Sequence, residues 1–175
     1  MQFIASKWGL LIRNACQYSS VPPEFIAALI ANESAGKDDA SRFEPSVCVH
    51  LRGLLDGKED HFGPITKTDL AGCKDPDVRD FSTSWGLTQI MGYHLLVWGQ
   101  DPRDLLEPKF NLEMCTRLLA GFAHAYQLDV RAEFEEMFRC WNTGRPNGIT
   151  TDPEYVPNGL RRMAMYHGEG PEVAA

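Results

Sequence analysis

No stretch of this chain approaches the ~20 consecutive apolar residues that a membrane-spanning helix needs. No run rich in lysine or arginine occurs either, and the net charge is −7 with a pI near 5.2, so nucleic acid and anionic membrane surfaces are poor partners. The first twenty residues carry Lys7, Arg13, Asn14 and Gln17 and lack an apolar block with a small-residue cleavage site; no signal peptide is visible. The five cysteines form no C-x-x-C pair, and an odd count argues against a disulfide framework or a zinc knuckle. Cys48 and Cys73 share one loop-rich stretch, where a bridge would contribute roughly 3 kcal/mol. His50, His61, His94, His124 and His167 lack any ligand spacing such as H-E-x-x-H, so neither a metal nor a cofactor is expected. There is no internal repeat and no convincing β-hairpin pair.

What is present reads as a globular, mostly helical chain. At 175 residues, with 43% hydrophobic and 10% aromatic content, it suits one domain with a real core. Ile4, Trp8, Leu11, Ile12 and Ala15 recur at helical spacing over residues 3–18. Leu112, Cys115, Leu119, Phe122 and Tyr126 make the clearest core stripe, over 110–126. A further helix is expected over 131–141, with Phe134, Met137, Phe138 and Trp141 on one side, and a last one from about Pro157 to Tyr166. Between Lys37 and Ser84 the periodicity fades into Gly, Pro and charged residues, which predicts a long loop region beside a cleft. Cys115 and Cys140 fall in helical patterns and read as small core residues. The tail from about 168 to 175 is expected to fray.

The stretch Val21–Gly36 organises the rest. Pro22 and Pro23 suit a first helical turn, and Gly36 suits a stop. Ile26, Leu29, Ile30 and Glu33 fall at i, i+3, i+4 and i+7, so a carboxylate continues the apolar stripe. A desolvated carboxylate answers by raising its pKa and holding its proton, the state a general acid needs near neutral pH. The alternative is a plain helix-end glutamate that reaches solvent or pairs with an arginine.

Four patches follow in order: Glu33-Ser34; Gly86-Leu87-Thr88-Gln89-Ile90-Met91; Trp141-Asn142-Thr143-Gly144; and Tyr155-Val156 before the final helix. Together, over roughly residues 20–166, they resemble the soluble lytic transglycosylases and their goose-type lysozyme relatives. Asn111-Leu112 followed by Leu118-Leu119 is similar to that family's intervening helix. Ser41-Arg42-Phe43-Glu44-Pro45 with Ser84-Trp85-Gly86 also looks similar to phage-type N-acetylmuramidases. Thr88, Trp141 and Thr143 depart from the usual Met, Tyr and Ala, and the stretch between Ser34 and Ser84 is longer than usual.

The resemblance implies a mainly α, lysozyme-like single domain over 1–175 that cuts the glycosidic bond between N-acetylmuramic acid and N-acetylglucosamine in peptidoglycan. Glu33 would be the acid and base. Ser34 would hold Glu33 or the substrate, Gln89 and Asn142 would offer amides to N-acetyl groups, Tyr155 would bond near the acid, and Tyr93 and Trp141 would line sugar subsites. A lytic transglycosylase giving 1,6-anhydro ends is preferred. An inverting hydrolase would need a second carboxylate, Asp80 or Glu44. The rival from another class is a non-catalytic glycan-binding or phage structural module. The expected partner is the glycan strand, the expected state a monomer, and the expected place of action the periplasm or cell wall. The chain would get there after removal of a signal, by another export route, or as a phage product.

Overall fold

Helix α2 (Pro23–Glu33) runs through the middle of the molecule. The chain enters it through Pro22 in extended conformation, as two consecutive prolines dictate. Ile26, Leu29 and Ile30 are fully buried as their stripe predicts, but so are Phe25, Ala27 and Ala28. The cause lies in its surroundings: α1 (Gln2–Cys16) packs on one side and α7 (Tyr155–Ala164) on another, and Phe138 of α6 (Phe134–Thr143) lies 4.3 Å from the Phe25 ring centre. A helix apolar all round belongs inside a core, and each of its large side chains contributes roughly 2 kcal/mol by leaving water. The long helix α5 (Pro108–Tyr126) completes this main core with Leu112, Met114, Cys115 and Leu119.

The computed structural model describes residues 1–166; His167 and the tail expected to fray lie outside the described residues. Among the described residues the architecture is mainly helical, with seven α-helices, three short 3-10 segments and five short strands. Among those residues no helix is long and apolar enough to cross a membrane.

The stretch 37–84 is not a loop. It contains β1 (Ser41–Phe43), α3 (Pro45–Leu55), the hairpin β2–β3 (His61–Phe62 with Ile65–Thr66), a 3-10 turn at Lys67–Leu70 and α4 (Asp75–Phe81). Leu51, Leu54, Ile65, Leu70 and Val78 are fully buried together and form a second, smaller core. Val47, Leu51 and Leu54 do carry helical spacing, but the dense Gly and Pro punctuation on either side obscures it. The hairpin escapes notice because its strands have only two residues each around Gly63-Pro64. All five cysteines are free thiols; Cys48 and Cys73 pack separately against the second core, so no bridge joins them.

A three-stranded antiparallel sheet in the order β1, β4 (Thr83–Trp85), β5 (Ile90–Met91) sits at the seam between the two cores. Ser41 faces Trp85, Arg42 faces Ser84 and Phe43 faces Thr83 across the first pair. The second pair is closed by a turn at Gly86–Gln89, and Gly86 is irreplaceable there. Its φ is +72°, and an added Cβ would lie 2.2 Å from the Leu105 carbonyl oxygen.

Candidate active site

Glu33 is the last residue of α2, and its position is fixed by ties on either side. One residue earlier, Asn32 Nδ2 donates to the Tyr155 carbonyl at 3.0 Å, while Asn32 Oδ1 accepts from Arg162 of α7. One residue later, the buried Ser34 Oγ donates to the Leu87 carbonyl at 2.7 Å and accepts from the Gly36 amide at 3.2 Å. Trp8 Nε1 of α1 then holds the Gly36 carbonyl at 3.1 Å. Left-handed Ala35 (φ 53°) and Gly36 (φ 85°) turn the chain away immediately beyond. The end of α2 is therefore pinned to α1, to the β4–β5 turn and to α7.

The Glu33 carboxyl accepts a hydrogen bond at Oε1 from the Tyr155 hydroxyl, which the first turn of α7 presents. Burial pushes the carboxyl from an ordinary 4.5 up to about 7, against the Tyr155 hydrogen bond and the Arg42 charge, which both pull it down. Burial first, then the Glu33 charge, also raises the Tyr155 hydroxyl well above its usual range, so it remains a donor at every working pH. The result is a carboxyl group divided between its neutral and ionised forms near pH 7, oriented by one neutral donor.

The remaining predicted residues divide by placement. Ser34 is beside Glu33 in sequence, but its hydroxyl serves the backbone of Leu87 and Gly36. Gln89, at φ 52°, spends both amide hydrogens on the Ala40 (3.1 Å) and Gly86 (2.9 Å) carbonyls, and its oxygen accepts from Ser84 at 2.9 Å. Its carboxamide thus stitches the sheet. Asn142 is exposed near the end of α6. Trp141 donates from Nε1 to the Thr88 carbonyl at 3.2 Å and is half-buried against the main core. Tyr93 packs edge-on to Phe62, 5.6 Å between ring centres, over the second core. Asp80 and Glu44 are both occupied by arginines, Asp80 with Arg103 at 2.9 Å and Glu44 with Arg42 at 2.5 Å. Among the described residues, no set of three His, Cys, Asp or Glu side chains is grouped as a metal site requires.

Residues that sequence reasoning did not single out do much of the positioning. Asn111 of α5 is fully buried; its Oδ1 accepts from the Thr88 amide (3.1 Å) and hydroxyl (2.7 Å), and its Nδ2 donates to the Trp85 (3.0 Å) and Leu105 (2.9 Å) carbonyls. A helical Asn beside Leu112 in an otherwise apolar stripe was the signal, because a buried amide must find partners. This clamp also explains Thr88, whose hydroxyl needs that acceptor. Arg42 and Asn32 had no comparable signal: a strand register brings the Arg42 charge to the carboxyl, and Asn32, next to Glu33 in sequence, finds Tyr155 and Arg162 only where α7 crosses α2. A hollow of about 1340 Å³ between α1, α5 and residues 128–131 contains none of the four patches. No family model, curated protein or solved structure matches the chain, so the site is interpreted from its own geometry.

Proposed function

We propose that this protein is a peptidoglycan-cleaving muramidase of lysozyme-like fold, acting as a lytic transglycosylase with Glu33 as its acid and base. The observation that carries the reading is the Glu33–Tyr155 pair: a carboxyl raised to about 7 by burial at the end of a central helix, with one oxygen held by a hydroxyl. Tyr155 occupies Oε1, so Oε2 carries the proton that goes to the glycosidic oxygen. As the C1–O bond breaks, the neighbouring N-acetyl carbonyl oxygen stabilises the sugar cation at C1. The resulting Glu33 carboxylate then takes the proton from the C6 hydroxyl, whose oxygen closes on C1 to give a 1,6-anhydro ring. The acid is restored and no water is consumed.

A pKa near the working pH lets one group perform both proton transfers. The preference over hydrolysis rests on Asp80 and Glu44, each engaged with an arginine rather than free to activate water. The test is mass spectrometry of products from purified sacculi, comparing wild type with Glu33→Gln. Products one water lighter than reducing ends, absent in the variant, are expected. Reducing ends would overturn transglycosylation, and glycan bound but uncut by wild type would overturn the enzyme reading.

A further inference from the structure

The protein carries 24 acidic against 17 basic side chains, so arginines without a carboxylate partner are informative. Arg161 and Arg162 of α7 are two of these. Arg161 donates to Asn158 Oδ1 and Arg162 to Asn32 Oδ1, and neither makes an ion pair among the described residues. A neutral amide oxygen orients a guanidinium without a countercharge from the described residues. Both arginines line a hollow of about 420 Å³ whose other wall is apolar, made by Phe3 and Ile4 of α1 and Met165. Phe3 and Met165 remain 57% and 56% exposed, so this wall has no cover from the described chain. Its volume is within the range of small-ligand sites.

We propose that this hollow receives the carboxylate-bearing stem peptide of the glycan strand. The inference rests on the muramidase reading above and adds a peptide subsite to it. An arginine pair suits a planar carboxylate, and the apolar wall suits the small alanine side chains beside it. Reach is sufficient. Ala31 and Ala35 line the hollow and flank Glu33 by two residues on either side, so each lies within about 7.6 Å of it, Cα to Cα. A four-residue peptide extended from the muramic acid beside the cut bond spans about 13 Å. Tyr155, Asn158 and Arg162 fall at i, i+3 and i+7, so the face of α7 that holds the acid continues into the hollow.

The experiment titrates the full-length protein with a free four-residue stem peptide ending in D-Ala, with the same peptide fully amidated, and with inorganic phosphate. Binding is followed by calorimetry and backbone amide shifts. The acid peptide is expected to shift amides of α7 and of Ala31 and Ala35, to bind at least tenfold more tightly than the amidated form, and to weaken at 0.5 M salt. Arg161→Gln is expected to weaken it about tenfold, and Arg161→Lys less. Among the described residues the Arg161 side chain bonds to Asn158 and not to Asn32, so this variant tests the site without disturbing the Asn32 tie, and its melting curve verifies the fold. Equal binding of both peptides, no binding at millimolar concentration, phosphate binding as tight as the peptide, or an unaffected Arg161→Gln would each overturn the subsite. Cleavage of peptide-stripped glycan by wild type but not Glu33→Gln, measured alongside, tells failure of the subsite from failure of the muramidase reading.

Discussion

At the scale of single residues, Glu33 sets two pH dependences with separate readouts. Its folded value of about 7 lies above the ordinary 4.5, so the folded state holds the proton more tightly than the unfolded chain. The associated stability is complete below 4.5 and is lost as pH rises through 7. Glu33→Gln keeps an acceptor for Tyr155 and cannot ionise. It should match wild type near pH 4 and exceed it above pH 8 by up to about 3 kcal/mol, read from urea midpoints. An equal difference at both pH values would remove the buried-carboxyl account. Under the proposed muramidase reading the protonated form is the acid, so the alkaline limb of the rate profile should fall near 7. Tyr155→Phe removes a hydrogen bond that lowers the pKa, so its alkaline limb should move upward; a limb moving down would reverse the assigned role. Sequence alone makes the carboxylate legible because Glu33 follows Ile26, Leu29 and Ile30 in one stripe. It could not show that Gln89 and Ser34 bind backbone, because that depends on which carbonyls the fold brings within hydrogen-bond reach of them.

At the scale of elements, the β4–β5 turn is tied to α2 by Ser34, to α6 by Trp141 and to α5 by Asn111, which alone makes four hydrogen bonds. Asn111→Ala would strand the Thr88 hydroxyl and amide and the Trp85 and Leu105 carbonyls in a dry interior, at about 1–3 kcal/mol for each group left unpaired. The expected loss of about 3 kcal/mol or more should appear in denaturant unfolding, and Asn111→Asp should not rescue it, since it supplies no donor for the two carbonyls. A loss under 1 kcal/mol would mean that water fills the role. The elements differ in legibility for a physical reason. The helices α1, α2, α5, α6 and α7 each bury a face against the main core, which imposes a 3.6-residue repeat, and their expected ranges agree with the observed ones to within a few residues. Helix α4 runs only 7 residues, and α3, though as long as α2, contributes only Leu51 and Leu54 as large buried side chains to a small core, so neither repeat stands out against the surrounding Gly and Pro. The composition of 37–84 is legible in the sequence; its compaction is not, because that comes from packing Leu51, Ile65 and Val78, far apart in sequence, into one small core.

At the scale of the whole molecule, the chain is a helical core with a second layer inserted between two paired strands. β1 leads into the layer and β4 leads out, and Phe43 facing Thr83 closes its neck. Beyond the neck the layer meets the rest of the chain through Tyr93, Leu96 and the Asp80–Arg103 pair, none of which is a partner in the ties of α2 to Trp8, Leu87 and Tyr155, so the layer has a route to open while those ties stay. Leu54→Ala tests this, because Leu54 is fully buried in the second core and makes no part of the first. The substitution removes buried methyl groups and leaves a cavity, at about 2–4 kcal/mol. If the layer is a separate cooperative unit, hydrogen exchange should show α3 and α4 amides losing protection by that amount while α2 amides keep theirs. If both lose protection together, the two cores unfold as one. Local opening would place the sheet edge carrying Arg42 at the boundary between a rigid and a yielding part. Arg42 lowers the pKa of Glu33, so loosening β1 in the variant should also raise the alkaline limb, coupling the inserted layer to the acid through charge alone.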